Sequence, residues 1–278
     1  MEERKNVNLT DEMLRKYQDY LRDEERSLAT IEKYVRDVRR FMEHLGDGEL
    51  SRESVREYKQ ELKETYKITS ANSMLAAVNS FLVFAGCGEW KVKLFKIQKV
   101  QYSRPEREIT GKEYERLVHT ARRQGDEQMS MLLQTVGSTG IRISELKYIS
   151  VESLETGRAE IYNKGKSRVV LLPGKLVDML RKYCRKKGIQ SGSIFITRNG
   201  NPMDRSNISK RMKRLAVEAG VDTAKVFPHN LRHLFARVFY SMEKDVVRLM
   251  DLLGHSNIST TRIYTTRHQV GRMNLILG

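Results

Sequence analysis

The sequence predicts a mainly α-helical protein of two domains, with one small antiparallel β-sheet in the second. Apolar residues recur three and four apart through most of the 278 residues, which is the spacing of one face of an α-helix. The pattern changes once, at 158–172, where two β-rich runs flank a short polar turn. Together with the division of charge, these patterns place the first domain at 1–103 and the second at 104–278.

Four helices are expected in the first domain. Thr10 precedes two carboxylates and is typical of a helix N-cap. Apolar spacing over 31–45, ended by Gly46, predicts a second helix, and Ser51 opens a third. Residues 69–85 are the most apolar segment and are expected to form the central helix. Four helices in about ninety residues predict a compact bundle, in which the aromatic and methionine side chains form the core.

The second domain begins with two predicted helices, at 110–123 and 128–139. The sequence RAEIYNKGKSRVVLL then predicts a β-hairpin, because two β-rich runs flank Lys-Gly-Lys. The tip of this hairpin is expected to carry Lys164 and Lys166. Helical spacing resumes afterwards, and the remaining helices are predicted at 175–187, at 204–219, from Pro228 onward and at 245–253.

The net charge of +16 is unevenly distributed. Residues 1–90 hold 15 Lys/Arg against 18 Asp/Glu, whereas residues 91–278 hold 36 against 17. The change falls at a linker, 91–104, that has scarcely a carboxylate. Such a run is usually a solvated surface, but a basic strap between two helical regions is also what a clamp on a polyanion needs. Charge alone favours the second reading, in which the strap binds nucleic-acid phosphates through Lys91, Lys93, Lys96 and Lys99.

Composition argues against several other classes of protein. No run of eighteen or more apolar residues occurs, and Met1 leads directly into charged residues, so neither a membrane span nor a signal peptide is expected. Cys87 and Cys184 lack the spacing of a zinc site and fit a reducing compartment. We therefore expect a cytoplasmic protein. The absence of a carboxylate cluster or a Cys/His site also agrees with chemistry that requires no metal and no other cofactor, which the resemblance described below implies.

The stretch PHNLRH, at 228–233, concentrates several functional groups in one helical turn. Pro228 is favoured at a first helical position, and His229 and Arg232, three residues apart, share a face. An anion beside this turn would meet free backbone N–H groups, the helix dipole and a guanidinium that can hold two phosphate oxygens. Taken alone, the stretch is equally compatible with an ordinary helix that carries a surface arginine.

Three other stretches extend this pattern. STGIRISEL places Arg142 after a glycine, the hairpin supplies Lys164, and LLGHSNISTTRIY places His255 nine residues before Tyr264. In order and spacing, these fragments resemble the signature of the tyrosine recombinases, the phage-integrase-like site-specific recombinases of DNA. The first domain also resembles the family's core-binding domain, as in SLATIEKYVRDVRRFMEHLG. The resemblance covers nearly the whole chain.

The resemblance implies a role for each of these residues. Arg142 and Arg232 would neutralise the charge that builds on a phosphodiester under attack. Tyr264 would be the nucleophile and form a covalent 3′-phosphotyrosyl intermediate. A hairpin lysine would protonate the leaving 5′-oxygen; Lys164 is the prediction and Lys166 is its rival, because NKGKSR is one residue tighter than the family's common turn. The other implied site residues are His229 in acid–base support, His255 on a phosphate oxygen and Glu145 beneath Arg142.

The implied assembly is a four-helix core-binding domain and a mostly helical catalytic domain that close on duplex DNA. The first helix begins close to Met1, which is similar to the simpler, Xer-like layout. Such a protein is expected to be a monomer without DNA and a homotetramer on two short inverted-repeat core sites. Its apolar tail at 272–278 either docks on its own domain, which is the simpler arrangement, or passes to a neighbouring protomer, which the resemblance favours. The basic helix RSNISKRMKR is a further candidate for DNA contact, through Arg205, Lys210, Arg211, Lys213 and Arg214.

Two other functions fit parts of the pattern. A type IB topoisomerase uses similar phosphotyrosine chemistry but relaxes supercoils as a monomer, and a non-catalytic DNA-binding protein could retain the same fold. The small size and two-domain layout favour recombination over the first alternative. The intact series of motifs argues against the second, because a protein that only binds DNA needs neither Tyr264 nor a proton donor.

Overall fold

The structure, a computed structural model, describes residues 9–97, 105–163 and 166–254. The chain divides into two compact units, 1–99 and 100–278, and the division falls within the basic linker. None of the helices in the described ranges is both long and apolar enough to span a membrane.

The first unit contains the four predicted helices. They are α1 (Asp11–Asp23), α2 (Leu28–Leu45), α3 (Arg52–Thr65) and α4 (Ile68–Phe84). The first three begin at a hydroxyl N-cap, supplied by Thr10, Ser27 and Ser51, whose side chain accepts a hydrogen bond from the third residue after it. The predicted positions of these helices are confirmed to within a few residues at each end.

The central position of α4 is also confirmed, because α4 packs against each of the other three helices. Its buried side chains include Leu75, Val78, Phe81 and Leu82, which are fully excluded from solvent. Phe81 meets Tyr17 of α1 edge to face, with ring centroids 5.2 Å apart. The aromatic residues of this unit therefore serve as core, as the sequence predicted.

The start of the basic strap is attached to α4 by two asparagine side chains. Asn79 donates to the carbonyl of Val92 (2.9 Å) and accepts from its N–H (3.0 Å). Asn72 makes the same pair of bonds with Phe95, at 2.9 and 2.8 Å. Each side-chain amide thus satisfies both the N–H and the carbonyl of one strap residue, as a neighbouring β-strand would. Residues 91–97 are therefore fixed against α4 over two helical turns.

The second unit is mostly helical. Its elements are α5 (Gly111–Arg123), α6 (Glu127–Thr139), a 3-10 helix (Ile143–Tyr148), α7 (Val151–Thr156), β1 (Arg158–Asn163), β2 (Lys166–Leu171), α8 (Gly174–Lys187), α9 (Arg205–Glu218), α10 (Pro228–Glu243) and α11 (Val246–Leu253). The sequence predicted all of the longer helices and missed α7, which is only six residues long. Helix α6 is central: it packs against α5, α8 and α10.

The hairpin is present, but its turn is tighter than predicted. Strands β1 and β2 are antiparallel, and Asn163 pairs with Lys166, so the connection consists of residues 164 and 165 alone. Lys166 is therefore the first residue of β2 and is not part of the turn. Two-residue connections are common in hairpins because their twist matches that of the strands.

Candidate active site

The candidate site is built where α6 ends. Gly140 follows the helix with a φ of +62°, a left-handed conformation that favours glycine. A Cβ at this position would lie 2.4 Å from Phe235 Cδ1 and 2.9 Å from Leu253 Cδ2, so a side chain has no room. The chain therefore turns closely against α10 and the end of α11, and Arg142 follows two residues later.

Arg142 is held by the buried carboxylate of Glu145, which is only 2% exposed. Glu145 Oε2 accepts from the Arg142 backbone N–H (3.0 Å), and Oε1 accepts from Arg142 Nη1 (3.0 Å). Burial alone would raise the pKa of this carboxyl. The guanidinium of Arg168 and the hydrogen bonds from Arg142 outweigh burial and hold the pKa below its ordinary value. Glu145 is therefore an ionised support beneath Arg142.

Helix α10 begins at Pro228 and carries His229 and Arg232 in its first turns. Arg232 is 2% exposed. Its Nη1 donates to the carbonyl of Gly140 (2.6 Å), and its Nη2 donates to the carbonyl of Leu253 (2.5 Å). The guanidinium of Arg232 therefore joins the end of α6 to the end of α11.

The structure adds an arginine that sequence reasoning did not single out. Arg168, in β2, donates from Nη2 to Glu145 Oε2 (2.6 Å) and from Nη1 to the carbonyl of Leu252 (2.9 Å). Its side chain is 16% exposed. The available signal was its position at the end of NKGKSR, two residues after Lys166, but nothing in that hexapeptide revealed the distant carboxylate to which Arg168 binds.

The three arginines bind three consecutive carbonyls at the end of α11. Arg168 binds that of Leu252, Arg232 that of Leu253, and Arg142 Nη2 that of Gly254, at 3.1 Å. The last carbonyls of a helix lack partners within it and form the negative end of its dipole, so cations are stabilised there. We call this arrangement the arginine clasp. It brings together side chains from three separate parts of the sequence. The last carbonyl that they bind belongs to Gly254, the residue that precedes His255 in the chain.

His229 lies beside the clasp. Its side chain is open to solvent on one side, yet its pKa is lowered, because neighbouring groups partly desolvate the imidazole and the Arg232, Arg142 and Arg205 guanidiniums repel a proton. The ring of His233 meets it edge-on, with centroids 4.3 Å apart. Because the Arg205 guanidinium contributes to the lowered pKa of His229, the first residue of α9 lies within electrostatic range of the site.

Three of the residues that the motifs predicted fall outside the described ranges: Lys164, His255 and Tyr264. The tail at 272–278 also lies outside them. Of the two candidate lysines, the backbone of Lys166 is described, and it lies in β2. The structure therefore brings together Arg142, Glu145, His229 and Arg232 among the predicted site residues.

The predicted DNA-binding residues separate into two groups. Lys91, Lys93 and Lys96 are exposed on the strap, and Arg205, Lys210 and Arg214 are exposed on α9; Lys99 lies outside the described ranges. Arg211 instead makes bonds of 2.7 and 2.8 Å to the two carboxylate oxygens of Asp126, and a bond of 2.7 Å to Gln128. Lys213 donates to the carbonyl of Thr223. Arg211 and Lys213 thus make contacts within the unit, and their binding to DNA stays a prediction.

A basic groove in the first unit was also missed. It has a volume of about 820 Å³ and lies between α2 and the start of α4. The guanidinium of Arg40 lies 5.0 Å from the centroid of the Tyr66 ring, which limits its movement. Four basic and two acidic side chains line the groove beside one threonine and two serines: Lys33, Arg36, Arg39, Arg40, Asp37, Glu43, Thr69, Ser70 and Ser73. The near-neutral composition of residues 1–90 concealed this local concentration of positive charge.

These features define a class of protein. Clustered arginines around a histidine suit the binding of a phosphate group under chemical attack, and exposed basic surfaces on both units suit a polyanion. The sequence profile of the phage integrase family matches residues 107–269, and that of the N-terminal SAM-like domain of phage integrases matches residues 14–86. The chain belongs to the phage integrase family, the tyrosine recombinases that carry out site-specific DNA recombination.

Individual relatives agree with this membership. The chain is 31% identical over 265 residues to tyrosine recombinase XerA of Thermococcus kodakarensis, covering 92% of this chain and 90% of the relative. Its fold is similar to that of XerH in a post-cleavage complex with a palindromic difH substrate, with a TM-score of 0.74, 18% identity and coverage of 98% and 86%. A lambda integrase dimer bound to a COC′ core site gives a TM-score of 0.73, 16% identity and coverage of 92% and 94%.

Proposed function

We propose that this protein cuts and rejoins duplex DNA at specific sites through a 3′-phosphotyrosyl intermediate at Tyr264. The observation that carries the proposal is the arginine clasp. Arg142 and Arg232 come from distant motifs, yet both bind the same helix end, one residue before the segment that contains Tyr264. Guanidiniums fixed in this way suit charge that develops in a transition state, because they need little reorganisation when the charge appears.

The proposed reaction proceeds in two exchanges. The Tyr264 phenol, of ordinary pKa about 10, loses its proton as its oxygen attacks the scissile phosphorus. The bond from phosphorus to the 5′-oxygen breaks, and that oxygen leaves with a proton from a hairpin lysine. In the second exchange, a 5′-hydroxyl from the partner strand attacks the phosphotyrosine and releases Tyr264. The phosphodiester bond energy is kept in the intermediate, so religation needs no nucleotide cofactor.

The histidines would assist at the phosphate. His229 lies beside Arg232 and Arg142, and its lowered pKa keeps the imidazole neutral to a more acidic pH than usual. A neutral imidazole can accept a proton or a hydrogen bond, which suits acid–base support of the Tyr264 phenol. His255 follows the clasped carbonyl of Gly254 directly in sequence, and we assign it to a phosphate oxygen.

The proton donor is assigned to the hairpin, with Lys164 as the first candidate and Lys166 as the second. A 5′-thio leaving group departs without protonation, so it distinguishes the acid from a lysine that only binds phosphate. The substitution of the true acid by Ala should slow cleavage of ordinary DNA and leave cleavage of the thio substrate fast. Rescue confined to Lys166→Ala would transfer the role to Lys166.

The proposed DNA contacts lie on both units. In the first, the basic groove and the exposed strap lysines offer a positively charged surface, to which the asparagine bonds to Val92 and Phe95 add rigidity. In the second, Arg205, Lys210 and Arg214 are exposed on α9. Binding to paired inverted-repeat sites as a homotetramer, with tails exchanged between protomers, completes the proposal.

The test is a nicked suicide substrate analysed on a denaturing gel. Wild-type protein should form a covalent adduct with DNA, and Tyr264→Phe should bind the same DNA without forming it. Tyr162→Phe is the matched control, because Tyr162 is an exposed tyrosine of the same unit and should be dispensable. An adduct that persists in Tyr264→Phe would assign the nucleophile to another residue. Relaxation of supercoiled DNA by the monomer, without a specific site, would favour the topoisomerase alternative.

A further inference from the structure

Arg168 is the member of the arginine clasp that the proposed mechanism does not use. We propose that Arg168 is a positioning residue, which takes up the charge of Glu145 so that Arg142 keeps a positive charge for the scissile phosphate, and which ties the hairpin to the end of α11. This inference rests on the proposed function and assigns a role to a further residue of the same site.

The contacts of Arg168 connect three elements. Its Nη2 binds Glu145 Oε2 at 2.6 Å, which is shorter than the 3.0 Å bond between Glu145 Oε1 and Arg142 Nη1. Its Nη1 binds the carbonyl of Leu252 at 2.9 Å. The close fit extends to Gly254, where a Cβ would lie 2.4 Å from Arg168 Cδ. A single guanidinium thus joins β2 to the 3-10 helix and to α11.

The charges of this group explain why the third arginine matters. Glu145 is buried and ionised, and it lies between two guanidiniums. Arg142 and Glu145 alone would form a neutral pair, and a neutral pair stabilises the extra charge of a phosphate under attack far less than a free cation does. With Arg168 included, the group carries one net positive charge. Because Arg142 is the more exposed arginine, with 39% of its side chain accessible against 16% for Arg168, that charge is most accessible at Arg142.

The second part of the role is mechanical. Arg168 lies two residues after Lys166 and four after Lys164 in sequence, and it binds the carbonyl of Leu252, three residues before His255. The strand that follows the proposed proton donor and the helix that precedes the proposed nucleophile are therefore attached to one side chain. Loss of Arg168 should impair their alignment, and groups that orient a reacting residue from behind contribute roughly 10- to 100-fold.

The experiment is a double-mutant cycle of Arg168→Ala and Glu145→Gln. Single-turnover cleavage of the suicide substrate is measured at saturating DNA, beside urea unfolding of the free protein. Arg168→Ala should cleave roughly 10- to 100-fold more slowly with unchanged Kd for DNA. Adding Glu145→Gln should recover part of both the rate and the stability, because the buried carboxylate that would otherwise neutralise Arg142 is then removed. Arg181→Ala, which removes a comparable bond to the carbonyl of Leu154, is the matched control and should cleave like wild type.

Two further variants keep the test decisive if Arg168→Ala does not fold. Arg168→Lys retains the charge beside Glu145 and Arg168→Gln does not, so the Arg168→Lys variant should cleave faster than the Arg168→Gln variant. The inference is overturned if Arg168→Ala cleaves like Arg181→Ala, if Glu145→Gln makes the Arg168 variants slower, or if Arg168→Lys and Arg168→Gln are equally slow. Absence of any adduct in wild type would overturn the proposed function instead, and the unfolding cycle would still decide whether Arg168 compensates Glu145.

Discussion

Arginine is used in opposite ways in the two units of this protein. In the basic groove of the first unit, Arg36 has 73% of its side chain exposed and forms an ion pair of 3.3 Å with Asp37. In the second unit, Arg232 is 2% exposed and binds the carbonyls of Gly140 and Leu253 at 2.6 and 2.5 Å. The guanidinium group is therefore a solvated charge at Arg36 and a fixed part of the structure at Arg232.

The difference indicates what each unit can contribute. An exposed guanidinium is screened by salt and samples many rotamers. It can therefore add affinity for any phosphate backbone, but it does not select one phosphate or favour the transition state over the ground state. A buried one has already lost its hydration and its freedom during folding. It can therefore stabilise charge that appears only in a transition state, without reorganising at that moment. We expect the first unit to determine affinity and the clasp to determine rate.

The largest effect is expected from Arg232→Ala. The maximal cleavage rate should fall by about 10²- to 10³-fold, as for the loss of one transition-state donor. The second unit should also lose stability, because the buried carbonyls of Gly140 and Leu253 each lose a donor at about 1–3 kcal/mol apiece. Single-turnover kinetics and urea unfolding measure the two losses. A variant that unfolds more readily but cleaves as fast as wild type would remove Arg232 from the chemistry.

The glycine before the clasp gives the next largest effect. Gly140→Ala should destabilise the second unit through its positive φ and through overlap with Phe235 and Leu253, where crowding adds about 1–3 kcal/mol. Gly188→Ala is the control, because Gly188 has a similar φ of +67° and no atom within 4 Å of an added Cβ. The difference between the two free energies of unfolding measures the crowding alone, and equal losses would contradict the packing described at Gly140.

The groove is tested by salt dependence. Arg36→Gln together with Arg40→Gln should weaken binding to all DNA sequences and reduce the slope of log affinity against log salt by roughly 0.9 for each DNA phosphate that the variant no longer neutralises. The control is Arg52→Gln with Arg56→Gln, two exposed residues of α3 that do not line the groove. Fluorescence anisotropy over a salt series provides the slopes. Equal slopes in both double variants would remove the groove from the DNA surface.

The smallest effect concerns the pH profile of cleavage. The pKa of His229 is lowered, first by desolvation and then by Arg232, Arg142 and Arg205, so the imidazole should stay neutral and active as pH falls through the ordinary range of histidine. Arg205→Gln removes one cation and should raise this pKa, which moves the acidic limb of the rate profile to higher pH. Lys210→Gln, on the same helix, should leave the limb in place. A limb that moves to lower pH in Arg205→Gln would contradict the assignment.

The sequence predicted most of the helices, because each follows from a local pattern of caps and apolar spacing. Thr10, Ser51 and Gly46 are examples whose role depends only on neighbouring residues. The hairpin was also predicted, although its turn was not: the pairing of Asn163 with Lys166 depends on the register of two strands, which an ambiguous Lys-Gly-Lys does not specify.

Interactions between distant residues explain the remaining differences. Arg211 looked like an exposed basic residue of a DNA-binding helix, but it binds Asp126, which lies at the N-cap of α6. The position of Arg168 at the end of NKGKSR did not reveal its partners, and its role follows from the meeting of β2 with Glu145 and the end of α11. A sequence pattern reports which groups a helix or strand carries, whereas their partners are decided by how the elements pack.

One titration tests most directly whether the groove determines affinity and the clasp determines rate. Single-turnover cleavage of the suicide substrate, measured against protein concentration, gives the half-saturating concentration and the maximal rate for each variant. Arg142→Gln should lower the maximal rate by about 10²-fold and leave half-saturation unchanged, because its guanidinium acts chiefly in the transition state. The double variant of Arg36 and Arg40 should raise half-saturation and leave the maximal rate unchanged. A groove variant that cleaves slowly at saturating protein, or an Arg142 variant that loses affinity alone, would contradict the account.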